Sequence, residues 1–351
     1  MKRPIYSSAP PVPREPFHRF FNMLRHVGDM HRLVPIAILP LLVSACQGAG
    51  PVPARGAPAV FSEAHGLDRA SAPGTTWIFA SNGEAGNVDV YSAKTLEMIA
   101  ECPCTGVGLA VNTKSGDLAV GTRSSTVTVW HVSRKQIALY STLHLSQGPD
   151  AIGIAFDRKG DLYAANAGDN VIDFFDATEI AAGGGSAART LVTSHLNEVE
   201  YLAADAHGLL ADGYDSNGQP LLVSVNTRTG ADTVVQTIPS GTLPEGIAFD
   251  RNDDLILNTI GNANTLAVYK KPWTGAPSST LVYGSGAENG YYTGIALDKS
   301  QHTLWAGSFT LPNPSHGVGS VQANSYPLKK IGRSSSGIAS EFYDSVAVDS
   351  L

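Results

Sequence analysis

Acidic residues recur from residue 150 onward, each just before or within the start of a short strand of small residues. Five segments carry them: Asp150, Glu198 with Glu200, Glu245, Glu288, and Asp344. Carboxylate oxygens gathered at one point suit a hard divalent cation, since Ca²⁺ takes about six to eight oxygen ligands. Tyrosines lie among the acids and could stack on a flat organic ligand; these are Tyr291, Tyr292 and Tyr343. The alternative is that the acids are the polar ends of separate, solvated turns.

The elements that would gather these acids form a repeat. Six short apolar strands of one pattern begin at Gly108, Gly153, Tyr201, Gly246, Gly294 and Ser345, spaced 45 to 51 residues apart. In residues 153–176, the strand "GIAFD" is followed by the turn "RKGD", the strand "LYAANA", a second turn and the alternating strand "VIDFFD". A fourth strand follows, and no helical pattern intervenes. Four antiparallel strands at this period predict one blade of a β-propeller, and therefore an all-β chain.

Composition predicts where each strand lies and how the ring closes. The small-residue strand should lie nearest the propeller axis, where strands converge, while Trp130, Phe174, Phe175 and Tyr269 fill the wider space between blades. Residues 76–102 supply three strands of a blade without a small-residue strand, and "SVAVDSL" at the end of the chain supplies that strand alone. Pairing the two hides both sheet edges. We therefore predict a six-bladed β-propeller over residues 76–351, with four-stranded antiparallel blades and a ring closed by the C-terminal strand.

The first 75 residues read as an export segment and a linker. Arg32 precedes the short apolar run "LVPIAILPLLVSAC", which is the layout of a signal peptide over residues 1–45, with Met30 as an alternative start. The run ends in Val43-Ser44-Ala45-Cys46, which resembles the lipobox of bacterial lipoproteins and implies lipidation of Cys46. An ordinary secretory signal is the alternative. Residues 46–75 are rich in Pro, Ala and Gly and predict a flexible tether. We expect an exported, lipid-anchored protein that faces the periplasm or the cell exterior.

The net charge of the chain limits the classes of binding partner. The chain has a net charge of −7, and the part after residue 45 holds 18 basic and 29 acidic residues, a net of −11. Such a field repels phosphate backbones, so we expect no nucleic acid partner and a membrane contact through the lipid anchor only. Neutral or cationic small molecules, or a protein, suit it better. Because no coiled-coil pattern dictates an oligomer, we expect a monomer.

The repeat also carries a family resemblance. Residues 149–176, "PDAIGIAFDRKGDLYAANAGDNVIDFFD", resemble an NHL repeat, and residues 76–351 resemble the NHL and SMP-30/gluconolactonase group of six-bladed propellers. The SMP-30-like enzymes hold a divalent metal with a Glu in a Pro-Glu-Gly motif, an Asn and an Asp. Here the resemblance implies Glu245, Asn289 and Asp150 as metal ligands. Glu245 departs from the family pattern, in which this motif lies near the start of the propeller.

Two functions remain open at this stage. The first is a noncatalytic module that binds a small molecule or a protein through its rim loops, with Asp150, Glu200, Glu245, Asn289, Tyr292 and Asp344 as candidate ligand-binding residues. The second is a divalent-metal-dependent lactonase or esterase, with Ca²⁺ or another divalent cation as its cofactor. A lyase would need a general base, which the sequence does not identify. The common hydrolase, zinc and nucleotide motifs are missing, which favours the binding module. Cys102 and Cys104 are either two thiols or a local structural bridge.

Overall fold

The structure of the chain is a computed structural model. It describes residues 76–350 except 83–86, 103, 105, 134–136, 149–150, 167, 205–207, 285–290, 299, 301, 314–315, 330, 335–337 and 340–342. The predicted signal peptide, Cys46 and the predicted tether lie outside the described residues and stay predictions. Within the described ranges, no helix is both long and apolar enough to cross a bilayer.

The described strands form six sheets, as the sequence predicts. Blade 1 contains β1 (Thr76–Asn82), β2 (Val88–Ser92) and β3 (Met98–Cys102). Blade 2 contains β4 (Gly108–Val111), β5 (Leu118–Gly121), β6 (Thr126–Val132) and β7 (Ile137–His144). Blade 3 contains β8 (Ala151–Phe156), β9 (Leu162–Asn166), β10 (Val171–Phe175) and, after the inserted β11 (Gly184–Ser186), β12 (Arg189–Val192).

The second half of the chain forms the remaining blades. Blade 4 contains β13 (Glu198–Ala204), β14 (Leu209–Tyr214), β15 (Pro220–Val225) and β16 (Asp232–Thr237). Blade 5 contains β17 (Leu243–Phe249), β18 (Leu255–Ile260), β19 (Asn264–Tyr269) and β20 (Ser279–Gly284). Blade 6 contains β21 (Tyr291–Leu297), β22 (Thr303–Asn313), β23 (His316–Ser325) and β24 (Ile331–Ser334), with the short β25 (Ile338–Ala339) also paired to β23.

The ring closes as predicted. The last strand, β26 (Tyr343–Ser350), pairs antiparallel with β1 and completes blade 1 in the order β26-β1-β2-β3. The register runs from Thr76 opposite Ser350 to Ser81 opposite Ser345, followed by an irregularity at Asn82. The innermost strands are β4, β8, β13, β17, β21 and β26, and each contacts the innermost strands of both neighbouring blades. The predicted six-bladed ring is therefore confirmed.

Steric crowding explains the small residues of the inner strands. A Cβ added to Gly108 would lie 2.2 Å from the Ile152 carbonyl oxygen of the next blade, and one added to Gly153 would lie 2.4 Å from the Glu200 carbonyl oxygen. A larger residue would push the neighbouring inner strand away. Farther out, large side chains fill the space between blades: Trp130 and Phe175 are buried in separate inter-blade clusters. The predicted gradient of side-chain size from axis to periphery is confirmed.

Blade 3 departs from the predicted pattern by an insertion. The sequence shows no helical pattern between strands, but α1 (Ala177–Ala181) follows β10. Asp176 caps it: its carboxylate accepts from the Thr178 and Glu179 amides, and the Glu179 side chain accepts from the Asp176 amide. This capping box was readable as Asp-x-x-Glu, but the segment is too short to show helical periodicity. The following β11 pairs in parallel with β7, so the insertion ties blade 3 to the outer edge of blade 2.

Candidate ligand site at the channel mouth

Four of the predicted site residues lie on inner strands near one end of the propeller axis. Glu200 lies on β13, Glu245 on β17, Tyr292 on β21 and Asp344 on β26, each near the start of its strand. Because inner strands run side by side around the axis, their starts meet at the same mouth of the channel. Asp150, Glu288 and Asn289 lie outside the described residues, so their roles stay predictions.

One polar contact at this mouth joins Tyr201 and Glu245. The Tyr201 hydroxyl lies 3.0 Å from Glu245 Oε2 and 3.2 Å from the Thr293 carbonyl oxygen, so its single proton can serve either acceptor. Glu245 is 5% exposed and Tyr201 is 9% exposed. A phenol and a carboxylate from adjacent blades therefore meet out of contact with bulk water.

Sequence reasoning missed Tyr201, although a signal was present. Tyr201 occupies the position that is Gly in four of the six repeated strands and Ser in a fifth. The structure shows that its side chain extends past β17 to the Thr293 carbonyl of β21. A large residue at a repeat position that is otherwise small indicates that this position has a role of its own.

Asn258 links Glu245 to Tyr292. Its Nδ2 donates to the Glu245 carbonyl at 3.3 Å and to the Tyr292 carbonyl at 2.7 Å, while its Oδ1 accepts from the Tyr283 hydroxyl at 2.8 Å. The Tyr292 hydroxyl in turn lies 3.2 Å from Asn324 Oδ1. The starts of the inner strands of blades 5 and 6 are thus held in register by side chains behind them.

The two tyrosines of this network stack on each other. The Tyr283 and Tyr292 ring centroids lie 3.9 Å apart with an interplanar angle of 12°. Burial raises the pKa of Tyr292 to about 12, and burial also raises the pKa of Tyr283 well above its ordinary value. Both phenols therefore stay protonated at neutral pH and act as hydrogen-bond donors. Tyr292 is 3% exposed and stacks on Tyr283, so in this state it supports the mouth from behind.

An axial cavity of about 240 Å³ lies along the inner strands. Every blade contributes to its wall; one lining residue from each is Ala347, Leu109, Ile154, Tyr201, Ile247 and Ile295. Most of the lining side chains are aliphatic, but polar atoms form more than half of the surface that faces the cavity; they include backbone groups of the inner strands and side chains such as those of Tyr201, Ser345 and Thr113. Such a cavity can hold a small molecule through apolar contacts with the side chains and several directed hydrogen bonds.

Two buried aspartates, which sequence reasoning also missed, anchor the loops that lead into the mouth. Asp173 of β10 accepts from the Ser146 amide at 2.6 Å and the Ser146 hydroxyl at 2.7 Å, which holds the segment before β8. Asp232 of β16 accepts from the Ser194 amide at 2.9 Å, the Ser194 hydroxyl at 2.6 Å and the His195 amide at 2.9 Å, which holds the segment before β13. Each aspartate lies far from its loop in the sequence, so the spacing of the residues does not predict the contact.

Asp232 gives the fold a testable acid dependence. Burial acts to raise the pKa of its carboxyl, but the hydrogen bonds from Ser194 and His195 outweigh burial, so the pKa lies below the ordinary value. Stabilisation by the ionised group is therefore present above about pH 4 and is lost as pH falls through the lowered value. Asp232→Asn should lower the free energy of unfolding by about 1.5–3 kcal/mol at pH 7, and the difference from wild type should shrink below about pH 4.

Urea unfolding between pH 3 and pH 7 measures this difference. The exposed Glu97→Gln serves as the control, because Glu97 carries a carboxylate of the same charge outside the mouth. A difference between Asp232→Asn and wild type that stays constant over this pH range would show that Asp232 does not anchor the loop as an anion.

Cys102 and Cys104 form a disulfide at the end of β3, with their Cα atoms 5.1 Å apart. Of the two alternatives left open by the sequence, the structure contains the local bridge. Both cysteines are buried, Cys102 at 0% and Cys104 at 2% exposure, and they pack in the core between blades 1 and 2. The bridge therefore lies where the chain passes from the outer strand of blade 1 to the inner strand of blade 2.

Metal binding at the mouth stays a prediction. Among the described residues, no group of three or more His, Cys, Asp or Glu side chains is arranged to hold a metal ion. Of the implied ligand set, Glu245 is described and accepts a hydrogen bond from Tyr201, whereas Asp150 and Asn289 lie outside the described residues.

Comparisons with known proteins agree with the propeller fold. No protein-family model and no curated protein matches the chain. A protein of known structure from Bacteroides uniformis, named as a 6-phosphogluconolactonase, matches with a TM-score of 0.54 and 10% identity, over 78% of this chain and 99% of that one. The structure of U3-55K matches with a TM-score of 0.52 and 14% identity, over 80% of this chain and 82% of that one. At these identities the likeness concerns the fold alone. The six sheets make the chain a six-bladed β-propeller, and its narrower resemblance to the NHL and SMP-30 group stays a prediction.

Proposed function

We propose that the chain is a noncatalytic binding module that takes a small organic ligand at the mouth of its axial channel. The proposal includes export and attachment to a bacterial membrane through a lipid on Cys46, which would present the propeller to the periplasm or the cell exterior. The rim loops would then select the ligand, or a protein that carries it. The observation that supports this function best is the axial cavity, whose wall is built from the inner strands of all six blades.

The chemistry of the wall indicates the kind of ligand. Aliphatic side chains suit a compact apolar body, and the Tyr201 hydroxyl can accept a hydrogen bond while it donates to Glu245. The carboxylate of Glu245 lies behind that hydroxyl, and the chain beyond residue 45 carries a net charge of −11. A negative field at a low-dielectric site favours cations and disfavours anions. We therefore propose a neutral or cationic ligand with at least one hydrogen-bonding group on an apolar ring or chain.

Three probes of one shape and different charge test this proposal: cyclohexylamine, cyclohexanol and cyclohexanecarboxylate. Titration followed by protein-observed NMR should give the tightest binding for the cation and the weakest for the anion. Glu245→Gln keeps an acceptor for the Tyr201 proton but removes the charge, so it should reduce the preference for the cation over the anion by about tenfold or more. Glu97→Gln, which removes an exposed carboxylate elsewhere, should leave that preference unchanged.

The same proteins test the second candidate, a divalent-metal-dependent lactonase. This candidate is supported by the buried Glu245 within the sequence Pro244-Glu245-Gly246, and the fold is similar to that of the protein named as a 6-phosphogluconolactonase. In that function, Glu245, Asp150 and Asn289 would hold a cation that polarises a lactone carbonyl. About one divalent ion per chain in wild-type protein, together with lactone hydrolysis, both lost in Glu245→Gln, would overturn the noncatalytic proposal. Failure of all three probes to bind would overturn it as well.

A further inference from the structure

A second cavity lies away from the axis, between the outer strands of blades 4 and 5. It has a volume of about 330 Å³ and shares no lining residue with the axial cavity. One side is the end of β16 and the turn that follows it, and the other side is the face of β18, β19 and β20 turned toward blade 4. We call this cavity the inter-blade groove. Its volume is at the lower end of the range of about 300–1,000 Å³ that small-molecule sites occupy.

The groove is lined by small side chains on the face of blade 5 that is turned toward blade 4. Alternate residues of a strand point to the same face, so Thr265 and Ala267 of β19 both face blade 4, as does Thr259 of β18. Leu257 and Ile238, each 2% exposed, form its floor. The outer part of the wedge between the two blades is therefore left unfilled above a closed apolar base.

Contacts between the two blades shape both ends of the groove. At one end, Gln236 Nε2 of β16 donates to the Trp273 carbonyl at 2.7 Å and to the Gly275 carbonyl at 3.0 Å, which holds the loop after β19 against blade 4. At the other end, the turn before β19 packs so closely on the turn after β16 that a Cβ on Gly261 would lie 2.8 Å from the Gly241 carbonyl oxygen. These contacts fix the width of the groove.

The polar groups in the groove are neutral. All of its lining residues are uncharged, and the polar ones include Thr259, Thr265, Thr280, Asn262 and Tyr269. The Thr259 and Thr265 hydroxyl oxygens lie 2.8 Å apart. Since one hydroxyl donates to the other, the pair keeps one free proton and several lone pairs for a ligand. Tyr269 adds an aromatic ring and a phenol at the side of the groove.

We propose that the inter-blade groove binds a neutral, polyhydroxylated ligand such as a monosaccharide unit. Vicinal hydroxyls of a sugar both donate and accept, which matches the paired threonine hydroxyls, the amide of Asn262 and the amide oxygen of Gln236. The apolar face of a sugar ring can pack on Tyr269 and on the aliphatic floor. A charged ligand would leave water without gaining an ionic partner, which costs free energy. This site is separate from the axial cavity and does not depend on the function proposed for it.

Saturation-transfer difference NMR on the propeller tests the groove. The neutral probes are methyl α-glucoside, methyl α-galactoside and methyl α-mannoside, and glucuronate is the anionic comparison. We expect saturation transfer to at least one neutral glycoside and a weaker response from glucuronate. Thr265→Val removes one hydroxyl with little change of shape and should weaken binding about three- to tenfold. Ala267→Leu fills the groove and should abolish binding.

Thr233→Val is the matched control, because Thr233 is an exposed threonine on β16 that does not line the groove. It should bind as wild type does, and circular dichroism should show that all variants are folded. The proposal is overturned if no neutral glycoside responds, if glucuronate binds more tightly than the neutral probes, or if folded Ala267→Leu binds as wild type does.

Discussion

Removal of residues 343–351 should leave a chain that no longer unfolds as one cooperative unit and that aggregates at micromolar concentration. These residues include β26, the inner strand of blade 1, which pairs with β1 from Thr76 opposite Ser350 to Ser81 opposite Ser345. Without it, the paired edge of β1 becomes a template for association with other chains. Val346 and Ala347 also leave the cores that blade 1 shares with blades 6 and 2. The loss reaches three of the six blades.

Thermal unfolding followed by circular dichroism, together with light scattering, measures this effect. Deletion of Leu351 alone is the control, because β26 ends at Ser350 and keeps its full pairing with β1. A synthetic peptide of residues 343–351 added to the truncated chain should restore cooperative unfolding, and the unfolding midpoint should rise with peptide concentration, since binding to the folded state stabilises it. An unfolding midpoint within a few degrees of wild type for the truncated chain would contradict closure of the ring through β26.

The architecture could be predicted because it follows from local sterics repeated at a fixed period. The recurring Gly and Ala residues at the starts of strands such as β4 and β8 mark where backbones converge, and the period gives the blade count. Ring closure followed from simple complementarity: residues 76–102 lacked one strand and the end of the chain supplied it. Both predictions depend only on the space that single residues leave for the neighbouring backbone. They therefore do not require knowledge of which side chains contact each other.

The site could be predicted only in outline, because its contacts join residues far apart in sequence. Glu200, Glu245 and Tyr292 lie near the starts of inner strands, as the repeat predicts, but the repeat does not predict their hydrogen-bond partners. The Tyr201 hydroxyl meets a carbonyl 92 residues away, and Asp232 binds a loop 38 residues before it. Such partners depend on which side of a blade each side chain faces and on the exact register between blades. The α1 and β11 insertion was missed for a different reason: five helical residues are too few for a periodic signal.

Replacement of a single inner glycine should destabilise the propeller strongly, because the glycine sets the distance between blades. In Gly153→Ala, the new Cβ would meet the Glu200 carbonyl oxygen at 2.4 Å and Ala165 Cβ at 3.1 Å. The oxygen belongs to the backbone of β13, which cannot retreat without disturbing its pairing with β14. Overpacking of this kind typically costs about 1–3 kcal/mol, and a backbone clash belongs at the upper end. We expect a loss of about 2–3 kcal/mol in the free energy of unfolding.

Urea unfolding of Gly153→Ala and of Gly185→Ala separates this steric effect from the general effect of glycine replacement. Gly185 lies on β11, where an added Cβ meets nothing within 4 Å. Alanine lowers the conformational entropy of the unfolded chain, so that variant should be as stable as wild type or slightly more so. Glu200 lies beside Tyr201, so displacement of β13 in Gly153→Ala should also move Tyr201. That variant should therefore bind cyclohexylamine more weakly than wild type does. Equal stability of the two variants would mean that the inner strands tolerate a wider ring, and the small residues at the axis would then need another explanation.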